Sequence, residues 1–461
     1  MSNGFRGGRR GFLTAAAGVA AGVLAGCGKA KVTPPPAPKT PAADAGNGGA
    51  AQAQSQAQAG TEAGSGKPWN LSELAPAPDW SLLEAWQETV TASEFRYLLE
   101  QVATDGTAFW STIEQRPDRA LIRQSTARAG SPKFELRFAE KSKSLPAARY
   151  WRKAGEMGAP PLPDRPLEGV RIALDPGHIG GELAKMEGRF YTRGDSSPVM
   201  EGELTLKTAR VLKPLLESMG AVVSLVRETE NPLTALKPEE LVPAARESLE
   251  AAHGVGAVFT EKQIQKESER LFYRTAEIRA RGMRVNQTLR PDMVMCLHFN
   301  AEGWGGNAEE PIFSTANHLH VIAHGCLDAA EFQLDDQRLD TLLRLVQETP
   351  GEEIRLCDAV ARSLAAATGL PAFTYRGKNA RRVNNNPYLW ARNLLANRMY
   401  HCPVVFTEPY VMNSQEIFDR VQAGDYEGEA MIAGKMRRSI FHEYAAGVAD
   451  GLAEAYKVGR L

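Results

Sequence analysis

Val170-Arg-Ile-Ala-Leu-Asp-Pro-Gly-His178 decides the fold: an apolar run, Val170 to Leu174, stops at a Pro-Gly turn carrying an aspartate and a histidine. The pattern recurs twice. Met293-Val-Met-Cys-Leu297 runs into His298-Phe-Asn300, and Pro403-Val-Val-Phe406 runs into Glu408-Pro-Tyr-Val-Met-Asn413. Short apolar runs of this kind read as buried strands. In an open α/β sheet, ligands gather just outside the carboxyl ends of the strands. His178, His298 and Glu408 therefore face one rim although they are far apart in the chain, and Glu201 opens the helix that follows the first strand. Two imidazoles, a carboxylate ligand and a spare carboxylate are the set that a catalytic zinc site needs: three N/O ligands, an open position and a base.

Working outward, a helix is expected over about 203–219, with Leu204, Thr208, Val211, Leu212, Leu215 and Leu216 on one face, a kink at Pro214 and a stop at Gly220. Ala221 to Val226 reads as the next strand, and a mostly helical stretch runs to Arg290. Strands near 293–298, 318–323 and 403–407 and helices near 353–368 and 429–456 complete the pattern. Strands alternating with helices give the expected fold class: α/β, a mostly parallel sheet flanked by helices, with the metal site at the C-terminal strand ends. No internal repeat is evident.

The N-terminal segments are of a different kind. Arg9-Arg10-Gly-Phe12-Leu13 opens an apolar stretch ending at Gly26, shorter than the about 20 residues that span a bilayer. Paired arginines before such a stretch point to the twin-arginine export route. Leu24-Ala-Gly-Cys27 resembles a lipobox, so residues 1–27 are expected to be a signal peptide ending at a lipidated Cys27. That places the protein in the cell envelope, in the periplasm and tethered to a membrane; Gly28, in place of an aspartate, favours the outer one. Residues 28–67, rich in Ala, Gly, Gln and Pro, read as a disordered linker with a reach of about 35 Å. Residues 68–160 form an accessory region of unknown role, with Leu82–Trp86 and Phe95–Leu99 at helical spacing and short strands at Ala120–Arg123 and Phe134–Phe138. Pro160-Pro-Leu-Pro163 leads into the main body. The formal net charge of −1 gives no general pull toward nucleic acid. Besides Cys27, the chain has Cys296, Cys326, Cys357 and Cys402, without metal-type spacing, and these read as small buried thiols.

Taken in order, these segments resemble the zinc-dependent N-acetylmuramoyl-L-alanine amidases of bacterial cell-wall remodelling and daughter-cell separation, the type-3 amidase domain. Asp175-Pro-Gly-His178 is similar to that family's first ligand motif, Glu201-Gly-Glu-Leu-Thr-Leu206 to its ligand glutamate, Leu297-His298-Phe-Asn300-Ala301 to its second histidine motif, and Glu408-Pro-Tyr-Val-Met-Asn413 to the segment of its catalytic glutamate. Arg281 and Asn286 match the helix before the second histidine strand. The resemblance covers 169–455 and implies a catalytic domain over 168–461. It implies Zn2+ held by His178, Glu201 and His298, Glu408 as the catalytic base, and peptidoglycan as substrate. Asp175 is a candidate to orient His178 or, alternatively, only to cap the turn. Asn300 and Arg381 are candidates for substrate binding, the latter within the basic run Arg376–Arg382. Cys296 stands where a serine is more usual and reads as space-filling. His318, His320 and His324 share one strand face and are read as structural or groove-lining. The loop between His178 and Glu201 and the stretches 230–275 and 302–350 are expanded. The helical run Leu339–Val346 raised an autoinhibitory role for the last stretch, to be relieved by an activator protein. Two alternatives stay open: a zinc peptidase acting on the stem peptide, and a non-catalytic peptidoglycan-binding lipoprotein.

Overall fold

The computed structural model describes residues 68–303 and 308–460. The expected signal peptide, Cys27 and the linker lie outside the described residues. The apolar runs become the central sheet. Its strands are β1 (Arg171–Pro176), β2 (Val222–Leu225), β3 (Met293–Leu297), β4 (Leu319–Ala323), β5 (Arg381–Arg382), β6 (Leu389–Ala391) and β7 (Val404–Pro409). They lie in the order β5-β6-β4-β7-β3-β1-β2. The pairs β1–β2, β1–β3 and β3–β7 are parallel, so the α/β expectation holds where the site motifs sit. β4 reverses direction. It pairs antiparallel with β7, in a register that sets His320 opposite Glu408. β6 is parallel to β4, and the short β5 closes the edge antiparallel to β6.

Alternation along the strands makes two apolar faces. On one, Leu174, Met295, Leu297, Val321 and Val405 pack under three helices: α1 (Glu201–Ser218), α3 (Thr349–Thr368) and α4 (Ile440–Gly459). Between α1 and α3 the chain forms α2 (Asp335–Val346). α4 lies close against α3: a Cβ on Gly451 would stand 2.7 Å from the Val360 Cα, so only glycine allows the approach. Fully burying each leucine of this face is worth roughly 1.5–3 kcal/mol. On the other face, Ala173, Val294, Cys296, Ile322 and Phe406 pack with Val285, Trp151 and Tyr400. The polar side chains of the rim continue this second face: Asp175 follows Ala173, His298 follows Cys296, and Glu408 follows Phe406.

α1 continues through Pro214 without a break. Two local expectations are corrected. The region near 429–456 is not one helix: Glu429–Ile432 and Lys435–Arg438 form an antiparallel hairpin, and α4 starts at Ile440. The cause is the two-residue turn Ala433-Gly434, both at positive φ (48° and 77°), as a tight hairpin demands. The second concerns α2. Residues 68–160 contribute a three-stranded antiparallel sheet (Ile113–Gln115, Arg119–Arg123, Lys133–Arg137) and a core of Trp80, Leu83, Phe95, Phe109, Ile122 and Leu136. The same core takes in Phe332, Leu339, Leu342, Leu343 and Val346. Every residue of α2 except Asp340 is buried. Asp335 accepts hydrogen bonds from the backbone N–H of Asn70 (2.8 Å) and of Thr126 (3.0 Å). α2 is thus the second half of the accessory core and not a plug in the site groove, because its apolar face is already occupied.

Candidate metal centre

His178 stands on the turn after β1, Glu201 on the first turn of α1, and His298 directly after β3. Their ligand atoms lie within 4.8 Å of one another. Glu201 Oε1 is 3.3 Å from His178 Nε2 and 3.1 Å from His298 Nδ1. A tetrahedral ion with bonds of about 2.0–2.1 Å to N and O places its ligands about 3.3–3.4 Å apart. The observed spacings are close to that edge. The buried Glu201 Oε2 has no hydrogen-bond partner and stands 3.6 Å from the Arg189 guanidinium, which leaves Oε1 as the ligand oxygen. Burial lowers the His178 imidazole well below its ordinary range, and the neutral form is the one that ligates metals. Donor types and the Oε1 spacings fit a divalent ion.

The backbone is shaped to hold this set. His178 is at φ 60°, a left-handed conformation that costs a non-glycine residue of order 1–3 kcal/mol and persists where the surroundings enforce it. Gly177 has no room for a side chain, since a Cβ there would stand 2.2 Å from the His298 ring. His298 is stacked on Phe406 at 4.3 Å between centroids.

Asp175 does not orient His178. It pairs with Arg281 (3.0 Å) and accepts the Tyr400 hydroxyl. Arg281 also holds Glu277 and donates to the carbonyls of Pro176 and His178 at 2.7 Å, so the pair clamps the turn from below. The partner of His178 is Glu187, whose Oε1 is 3.1 Å from Nδ1 and whose Oε2 accepts the Ile179 N–H at 2.8 Å. A carboxylate on the far nitrogen fixes a ligating imidazole's tautomer and orientation. Glu187 lies in the long His178–Glu201 loop, where sequence spacing alone gave no signal for it.

Glu408 ends β7 beside this cluster, buried, with Oε2 unpartnered. Burial, reinforced by the charge of Glu201, pushes its carboxyl up to about 7, against the pull of His298. It lines a small, narrow cavity with His178, His298, Arg189, Tyr375, Arg392, Ile322, Leu394 and Phe406. Arg189, Tyr375 and Arg392 were missed in the sequence. Arg189 comes from the same long loop and sits 3.6 Å from Glu201 Oε2.

The other sequence candidates lie elsewhere. Asn300 is buried, and its side chain serves the loop, accepting from Ala301 N–H at 2.7 Å and meeting His318 Nδ1 at 3.4 Å. Arg381, on β5, donates to the Glu100 carbonyl at 3.2 Å and does not line the cavity. His318 pairs with Glu302 at 2.9 Å. His324, at the far end of the reversed β4, meets Asn397 at 3.4 Å, away from the rim. Cys296 is buried against Asp175 at 3.9 Å, and Cys326, Cys357 and Cys402 are buried free thiols.

No family model matches the chain. A curated relative, "Probable cell wall amidase LytH" of Staphylococcus saprophyticus, is 25% identical over 175 residues, which cover 36% of this chain and 58% of the relative. The chain therefore spans a little over half the length of the curated relative it matches. The solved N-acetylmuramyl-L-alanine amidase Ami1 from Mycobacterium smegmatis is 18% identical, over 63% of this chain and 99% of that one, with a TM-score of 0.35. The CwlD amidase from Clostridioides difficile, in complex with the GerS lipoprotein, is 14% identical over 62% of this chain and 98% of that one, with a TM-score of 0.35. In sequence, then, the chain is similar to a cell-wall amidase, the family that its strand-end motifs resemble.

Proposed function

We infer that this protein hydrolyses the amide between N-acetylmuramic acid and L-alanine in peptidoglycan, with zinc held by His178, Glu201 and His298. The observation that supports it is a closed N/O ligand set, two of whose members, His178 and His298, line one cavity with a buried carboxylate, Glu408, that is not part of the set. The ion supplies a Lewis acid that polarises the scissile carbonyl and acidifies water. Glu408 takes the proton of the attacking water at its free Oε2 and returns it to the leaving amine. A carboxyl raised toward neutrality is suited to both transfers. Glu187 keeps His178 in the tautomer that presents Nε2. Arg281 and Asp175 hold the turn, and the walls of Phe406, Ile322 and Leu394 keep bulk water from the reacting groups. Around this chemistry we place an envelope protein exported by the twin-arginine route and lipid-anchored at Cys27.

The test is digestion of purified peptidoglycan by the zinc-loaded full chain, read by mass spectrometry beside Glu408→Ala. Release of intact stem peptides by the wild type alone is the expected result. Cuts within the peptide would replace the amidase reading with a peptidase. No cleavage at full zinc occupancy would leave a wall-binding protein. Cys27→Ala should shift the protein from the membrane to the soluble fraction; an unchanged distribution removes the anchor.

A further inference from the structure

Arg392, in the cavity wall, is a buried guanidinium without a carboxylate partner among the described residues. It is 5% exposed, and its backbone N–H donates to the Ala323 carbonyl at 3.0 Å, which fixes it just beyond β6. A guanidinium stays charged at any physiological pH, so when buried it normally meets a carboxylate or several carbonyls. The other buried arginines obey this. Arg281, Arg338, Arg344 and Arg420 each hold a carboxylate, and Arg227 and Arg460 donate to main-chain carbonyls. Arg392 has, among the described residues, no carboxylate within ion-pair distance. Its side chain lies 5.2 Å over the Tyr375 ring and donates weakly to the Tyr375 hydroxyl, at 3.4 Å. That hydroxyl is in turn held 2.9 Å from His320 Nε2, and the buried His320 Nδ1 has no partner. His320 is placed there by the reversed β4, directly across from Glu408.

Tyr375, itself held by His320, thus steadies a guanidinium that lines the same cavity as Glu408, His178 and His298. Arg189 lines the same cavity and carries a second positive charge. A forked cation held in place, short of an anion and beside a hydrolytic centre is built to take a carboxylate in two-point contact. We propose that Arg392 is a specificity-determining residue that binds a free carboxylate of the substrate's peptide portion, next to the scissile amide. The substrate class rests on the amidase reading. The carboxylate preference rests on Arg392 and is tested separately.

Two muramoyl dipeptides serve as probes, differing only in a free carboxylate or a carboxamide on the second residue. Binding of each to the zinc-loaded Glu408→Ala full chain is measured by calorimetry, and turnover of each by the active full chain. The carboxylate form should bind about 10- to 100-fold more tightly, the range expected of a charge-assisted pair. In turnover the preference should reside mainly in KM. Arg392→Gln should bring the ratio of the two compounds close to one. Arg392→Lys, which keeps the charge and the stem but not the fork, should leave part of the preference and guards against a Gln variant that fails to fold. Equal binding of the two compounds by Glu408→Ala overturns the proposal, even if the amidase is active. So does an Arg392→Lys or Arg392→Gln variant that lowers kcat equally on both compounds and keeps the wild-type preference, since that would make Arg392 a general electrostatic aid. A carboxylate preference that is lost in Arg392→Gln, found without any turnover by the active chain, upholds the proposal and removes the amidase reading instead.

Discussion

The accessory core and the strand-end rim are both buried, yet they treat their charged groups differently. Where residues 68–160 meet α2, each buried charge has its complement. Arg338 holds Asp335 at 2.7 Å, and Asp336 takes the backbone N–H of Ser72 at 2.8 Å. At the rim, Glu408 Oε2 and His320 Nδ1 are buried without partners, Glu201 Oε2 has only Arg189, at 3.6 Å, and Arg392 lacks a carboxylate. An unsatisfied buried polar atom costs roughly 1–3 kcal/mol, so a fold keeps several together only where something else completes them. The contrast separates residues that hold the molecule together from residues that wait for a ligand.

Substitutions at the two places should fail in different currencies. The largest effect belongs to Glu408→Ala: turnover should fall by about 10²–10⁴-fold while bound zinc, counted by mass spectrometry or atomic emission, stays at one per chain. Loss of zinc in that variant would make Glu408 a ligand and blur the distinction between base and metal set. Phe109→Ala, in the accessory core, should cost about 3–5 kcal/mol in denaturant unfolding and leave the zinc content of the folded fraction unchanged. If zinc falls with it, the two regions are coupled and the comparison breaks. Gly177→Ala should act in the reverse sense. Its Cβ displaces the His298 ring, so zinc affinity should drop by about 100-fold or more with a smaller change in melting temperature. Glu187→Gln, which weakens only the hold on His178, should lower zinc affinity about 10-fold; an unchanged affinity would reduce Glu187 to a loop anchor. Smallest is Cys296→Ala, expected to cost about 1 kcal/mol in stability and nothing in zinc content, as suits a space-filling thiol.

The legible part of the site was the part carried on strand ends. His178, His298 and Glu408 each follow an apolar run, and Glu201 opens a helix, so local pattern placed them at one rim. Glu187 was not legible because it reaches His178 from an irregular loop, where no periodicity links position to direction. Asp175 left two readings open for a related reason. Its side chain does leave the strand on the site face, but Arg281, from a helix more than a hundred residues on, and Tyr400 take it up. Leu339 to Val346 showed a clear helical pattern whose burial could not be assigned, since an apolar stripe fits a core and a groove equally well. The hairpin at 429–438 was missed because Ala433 in a left-handed turn is not a residue that announces one.

The amino-acid sequence by itself determined the strands that carry the site, β1, β3 and β7, where each ends, and which ligand types stand at those ends, because these depend on alternation, turn residues and short-range chemistry. The direction of β4 was decided only by the tertiary structure. An apolar run pairs as well with a parallel as with an antiparallel neighbour, and nothing local selects between them. Reversal brings His320, and with it Tyr375, to the side of Glu408, and carries His324 to the opposite end of the strand. The ligand set came from strand ends, and the wall that faces it came from the way distant strands were laid side by side.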